Sequence, residues 1–165
     1  MENADRNTAE SAISSALIKE LESKGRLIVA PVGNSMIPLL RPGKDSVLLE
    51  RCFTPLKRLD IALYQRDDGL YILHRVMSDK NGVIVFRGDG MLKSDPPVPE
   101  SRAAAVLTGF YRGERFVSAQ AFLYRAYSQL WCFTLLPRTI GLFLWRLRWK
   151  VKLFIRGRRE KKCAR

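Results

Sequence analysis

Apolar positions along the chain fall into three textures. Over residues 8–24 they recur at helical spacing, with Ile13, Ala16, Leu17 and Leu21 on one stripe. Asn7 or Thr8 can cap the start and Gly25 ends the run, which predicts an N-terminal helix behind a polar first segment. From Arg26 to about Gly113 the pattern shortens to strand-length runs: Leu27 to Ala30, Ser46 to Glu50, Asp60 to Gln65, Leu70 to Met77, Val83 to Arg87 and Ala104 to Tyr111. Asp67-Asp68-Gly69 and Asp79-Lys80-Asn81-Gly82 predict two tight hairpins. Short strands with regular turns predict a mainly β fold, a small coiled antiparallel sheet or barrel. Beyond residue 116 the pattern predicts a helix over 117–136, a break at Pro137, and a second helix over 140–155. Within that second helix Arg146, Arg148, Lys150 and Lys152 alternate with Leu147, Trp149, Val151 and Leu153, a period of two that competes with helix. The expected organisation is an N-terminal helix (1–25), a β domain (26–115) and an apolar and basic helical extension (116–165).

Composition narrows the class. A chain of 165 residues with 47% hydrophobic residues reads as one globular domain, or one domain plus an appendage, not a disordered chain. Three cysteines, Cys52, Cys132 and Cys163, are odd in number and show no CxxC spacing, which argues against a disulfide framework and a zinc site and fits a reducing compartment. His74 is the only histidine, so a histidine-rich metal site is excluded and no cofactor is expected.

The net charge of +13 is unevenly placed: residues 138–165 carry eleven Lys/Arg against Glu160 alone, leaving +3 for the rest. Such a tail favours anionic surfaces, lipid or nucleic acid. The most apolar window, Ala121 to Trp145, contains Arg125, Ser128, Gln129, Pro137 and Arg138. A central arginine costs about 2.5–3.5 kcal/mol on insertion, so no true membrane span is expected. The expectation is an interfacial helix pair, with Trp145, Trp149 and Phe154 beside the cations and residues 137–165 as the segment that meets a membrane surface. Packing of these aromatics on the β domain is the alternative. Nucleic-acid binding by the tail is a weaker expectation, and the N-terminal segment is too short for a helix-turn-helix, which argues against a repressor. The corresponding location is cytoplasmic or peripheral on a membrane.

One stretch stands out chemically. Ser35 lies between Gly33-Asn34 and the rigid Pro38 and Pro42-Gly43, a frame able to fix one hydroxyl or to make an ordinary loop. A serine nucleophile needs a base, and the base an orienting acceptor. His74 lies in the apolar run Tyr71-Ile72-Leu73-His74-Arg75-Val76, where a structural histidine is the commoner case. Asp89 (Arg87-Gly88-Asp89-Gly90) and Asp95 (Ser94-Asp95-Pro96-Pro97) are each ordinary turn aspartates by themselves.

Taken in order, these segments resemble the signal peptidase I superfamily, in its endoplasmic-reticulum and archaeal branch, over roughly residues 29–98. Gly33-Asn34-Ser35-Met36-Ile37-Pro38 resembles the G-x-S-M-x-P box, and Leu40-Arg41-Pro42-Gly43-Lys44-Asp45 the L-R-P-G-D segment. Leu56 to Tyr64 is similar to a K-x-G-D-I-V-x-Y strand, His74-Arg75-Val76 to an H-R-V box, and Arg87-Gly88-Asp89 to K-G-D. Lys44 intervenes before Asp45, Leu59 stands for a glycine, and Gly90 for an asparagine. The resemblance implies a signal-peptidase-like (LexA-like) fold and a serine endopeptidase acting on a peptide or leader-like segment. It implies Ser35 as nucleophile, His74 as base, and Asp95 as the group orienting His74, with Asp89 as the alternative or a supporting acceptor. The Ser35 N–H would serve the oxyanion, Gly33 would add no side-chain donor, and Met36 would pack beneath the serine. The N-terminal membrane anchor of the family is not apparent, which points to a cytoplasmic or membrane-surface peptidase with a dedicated peptide substrate. The rival expectation is an inactive relative that works as an adaptor through its basic tail.

Overall fold

A computed structural model describes residues 16–53 and 55–133. The N-terminal stretch, the second predicted helix and the basic tail with Trp145, Trp149 and Phe154 lie outside these residues. The fold is mainly β, a curled antiparallel sheet flanked by an N-terminal and a C-terminal helix. The chain divides into one compact unit ending at Gln129 and a second beginning at Leu130. The sheet and the site it carries belong to the first unit.

Helix α1 covers residues 16–24 and ends at Gly25, whose N–H donates to the Leu21 carbonyl. Eight strands follow: β1 (Arg26–Val29), β2 (Asp45–Arg51), β3 (Ile61–Gln65), β4 (Tyr71–Lys80), β5 (Val83–Arg87), β6 (Val98–Pro99), β7 (Ala103–Arg112) and β8 (Arg115–Ser118). Helix α2 runs over Phe122–Phe133. The strand order is β1-β2-β7-β3-β4-β5-β6, with β8 also on β7. All pairs are antiparallel. The β3–β4 hairpin turns at Asp67-Asp68-Gly69, where Asp68 Oδ1 accepts from the Leu70 N–H. The β4–β5 hairpin turns on Asn81 (φ 54°) and Gly82 (φ 75°), the two left-handed residues that a tight type I′ turn requires.

The two faces of the sheet bury different sets because successive side chains of a strand point opposite ways. Val47, Leu49, Ile61, Ala105, Leu107 and Phe110 form one core with Leu21 of α1, Tyr124 of α2, and Met36, Leu39 and Leu40 of the serine stretch. Ala62, Tyr64, Val76, Ile84 and Phe86 form the other with Leu56 and Val98.

One element differs from expectation. The helix predicted from Val117 starts at Phe122, because Arg115 to Ser118 turns back at Gly113 (φ 64°) and pairs with β7. Phe116 is drawn onto that sheet by Gly109, where it occupies the space a side chain would need: a Cβ there would lie 2.4 Å from its ring. Tertiary pairing outweighs local helical spacing here. Among the described residues no helix is long and apolar enough to cross a membrane.

Candidate active site

Ser35 stands in a turn that is held from both sides. Behind it, Met36, Ile37, Leu39 and Leu40 are buried, each burial contributing roughly 1.5–3 kcal/mol. Met36 therefore packs under the serine within the larger core. Downstream, the wholly buried Asp45 accepts from the Arg41 backbone N–H (2.9 Å), the Arg41 guanidinium (2.9 Å) and Arg112 (3.1 Å). Arg112 also donates to the Leu39 carbonyl at 2.7 Å, which ties the turn to β7. Burial raises the Asp45 pKa, but the two guanidinium groups outweigh it and hold the carboxyl below its ordinary value. The extra Lys44 is exposed and leaves this clamp intact.

On the open side the Ser35 carbonyl accepts from the Gly90 N–H at 2.7 Å. Gly88 is without a side chain for a steric reason. A Cβ there would lie 2.5 Å from the Ser35 oxygen and 3.1 Å from His74 Nε2. The serine turn and the imidazole thus close on the same side of Gly88, a close approach that only glycine permits.

His74 comes from the middle of β4, opposite Ala62 of β3. Its ring is buried and tilted at 51° to Tyr64, with centroids 6.4 Å apart; Tyr64 in turn stacks on Phe86 at 4.0 Å. Asp95 reaches it because its own N–H pairs with the Phe86 carbonyl (2.8 Å), folding the loop after β5 back along that strand. His74 Nδ1 and Asp95 Oδ2 are 2.6 Å apart. With the carboxylate as acceptor, Nδ1 carries the proton and Nε2 the lone pair. Nε2 is buried with no hydrogen-bond partner.

The second aspartate has another partner. Arg75, adjacent to His74 and fully buried, places Nε 2.8 Å and Nη2 2.7 Å from the two oxygens of Asp89. Its Nη1 donates to the Leu59 carbonyl and to Ser128 Oγ of α2, both at 2.9 Å. Tyr127 of α2 adds its hydroxyl to Asp89 Oδ2 at 3.3 Å. Of the two aspartates left open by the sequence, Asp95 meets the imidazole and Asp89 meets the guanidinium of the next residue. Asp89 acts on the site through its neighbours Gly88 and Gly90.

Tyr64 closes the strand box that resembles K-x-G-D-I-V-x-Y, and the resemblance gives it no role. Its hydroxyl is buried and unpartnered, and burial together with the nearby Asp95 charge pushes its pKa well up, so it stays protonated. Ser128 and Tyr127 carry no signal in the sequence, since a serine and a tyrosine on an amphipathic helix read as ordinary. The arrangement brings together an acid-oriented imidazole with an idle acceptor nitrogen and a fixed serine turn. Those parts can move a proton off a hydroxyl. No family model, no curated protein and no solved structure matches this chain.

Proposed function

We propose that the protein is a serine endopeptidase of the signal-peptidase-like type, with Ser35 as nucleophile, His74 as general base and acid, and Asp95 as the orienting carboxylate. The observation that carries this reading is His74 itself: Nδ1 bonded to Asp95 at 2.6 Å, Nε2 buried without a partner beside the Ser35 turn. A purely structural histidine in that place would have both nitrogens satisfied, because a buried polar atom left unpaired costs about 1–3 kcal/mol.

Each step uses these groups. Ser35 Oγ attacks a peptide carbonyl while its proton passes to Nε2. The imidazolium so formed is stabilised by Asp95 across Nδ1–H. The oxyanion is met by the Ser35 N–H, which makes no hydrogen bond of its own among the described residues. Collapse breaks the C–N bond, and Nε2 returns its proton to the leaving amine. Water then cleaves the acyl-serine ester by the same route, with the proton returning to Oγ.

The substrate class in this proposal is a peptide with a leader-like, alanine-rich segment. The test is turnover of such a peptide by the wild type, by Ser35→Ala and by His74→Ala. Loss in both variants is the expected result; equal turnover in all three would remove the reading.

A further inference from the structure

Helix α2 reaches the candidate site through a polar network. Tyr124 joins the core and lies 5.8 Å beneath the Arg75 guanidinium. Ser128 Oγ, buried, accepts from Arg75 Nη1, and Tyr127 donates to Asp89. Beside these contacts a cleft of about 770 Å³ opens between α2, β7 and the loop over residues 55–60, lined among others by Leu59, Thr108, Tyr124 and Ser128. The helix is therefore held here by these hydrogen bonds as well as by the packing of Tyr124 and Tyr127 on the core.

Those bonds lead to the chemistry by a short path. Arg75 follows His74 in β4. Asp89 sits between Gly88, which abuts His74 Nε2 and the Ser35 carbonyl, and Gly90, which donates to that carbonyl. The Arg75–Asp89 pair fixes the loop on which the serine turn and the imidazole close, and Ser128 and Tyr127 fix that pair from behind. The geometry points to Ser128 and Tyr127 as positioning residues: through Arg75 and Asp89 they set the Gly88–Gly90 loop against Ser35 and so set the reactivity of the serine. This rests on the peptidase reading for its kinetic consequence, though not for its structural one.

Two measurements on Ser128→Ala, Tyr127→Phe and the double variant test it. The first is the rate at which a fluorophosphonate probe phosphonylates Ser35, with the probe-binding and reaction constants resolved. The double variant is expected to lose about tenfold or more in the reaction constant at unchanged probe binding, since small misplacements of reacting groups carry penalties of this size. The second is amide hydrogen exchange at Gly90, which is expected to quicken in each variant in the same order. A folded double variant with wild-type phosphonylation and wild-type Gly90 exchange would overturn the inference. If the wild type itself is not phosphonylated, the peptidase reading fails, and Gly90 exchange still decides whether α2 positions the loop.

Discussion

His74 and Arg75 are neighbours in β4 and point to opposite faces of the sheet. On one face His74 gives Nδ1 to Asp95 and leaves Nε2 unpartnered. On the other, Arg75 engages both oxygens of Asp89, the Leu59 carbonyl and Ser128. Both residues are buried and both meet a carboxylate, so burial and charge pairing do not tell them apart. What differs is saturation. A buried network with its donors and acceptors matched serves structure, while the unpartnered Nε2 is the feature on which the proposed proton transfer rests. Asp45, with Arg41 and Arg112 around it, belongs with the saturated kind.

The comparison breaks most plainly if substitutions on the two faces have the same consequences. On the His74 face, Ser35→Ala or His74→Ala is expected to lower turnover on the order of 10⁴-fold or more, and Asp95→Asn on the order of 10²- to 10⁴-fold. Ser35→Ala is expected to unfold in urea within about 0.5 kcal/mol of the wild type. A large stability loss in that variant would make the serine a structural residue.

On the Arg75 face the effect is on folding. Asp89→Ala leaves a guanidinium buried without its main counter-charge, at a cost of about 3–5 kcal/mol in a urea titration. Arg75→Met with Asp89→Leu together should cost much less than the sum of the two single changes, because the pair is removed as a unit. Additive losses would show that the two groups do not act as a pair.

How much of the molecule is legible in its sequence depends on the range over which each feature is determined. The β3–β4 and β4–β5 hairpins are legible, because Asp68-Gly69 and Asn81-Gly82 encode their turns locally. β8 is not, since Arg115-Phe116-Val117-Ser118 becomes a strand only through its pairing with β7. The segments that carry Ser35, His74, Asp89 and Asp95 stand out in the sequence as an ordered series of short boxes, yet which aspartate meets His74 does not. Both follow β5 within one loop, and only the return of that loop along Phe86 assigns Asp95 to His74 and Asp89 to Arg75. Leu59 differs in another way. It stands where the family pattern has glycine, and it adopts φ 78°, the backbone that glycine serves. The sequence shows the leucine but not the left-handed backbone it adopts.

The Asp45 clamp gives the saturated kind a pH signature. A carboxyl whose folded pKa lies below its unfolded value adds stability that is complete above the unfolded range, about 3.9, and is lost as pH falls through the folded value. The wild type should therefore lose stability progressively in acid below about pH 4, and Asp45→Asn should lose less over the same interval. Parallel acid curves for the two proteins would remove Asp45 as a stabilising charge.

Tyr64 offers the smallest and sharpest test, because it stands on the His74 face and touches the question of saturation directly. Its hydroxyl is buried without a hydrogen-bond partner, and burial and the nearby Asp95 charge raise its pKa. A buried hydroxyl close to Asp95 that makes no hydrogen bond contributes little beyond the cost of its own desolvation. Tyr64→Phe, which keeps the stack on Phe86, is therefore expected to leave stability equal or raised by up to about 1 kcal/mol and turnover within about threefold. A tenfold fall in turnover, on the order of 1.4 kcal/mol at the transition state, would mean that the phenol holds Asp95 in place. The His74 face would then contain a second satisfied carboxylate contact, and its difference from the Arg75 face would narrow to the single nitrogen Nε2.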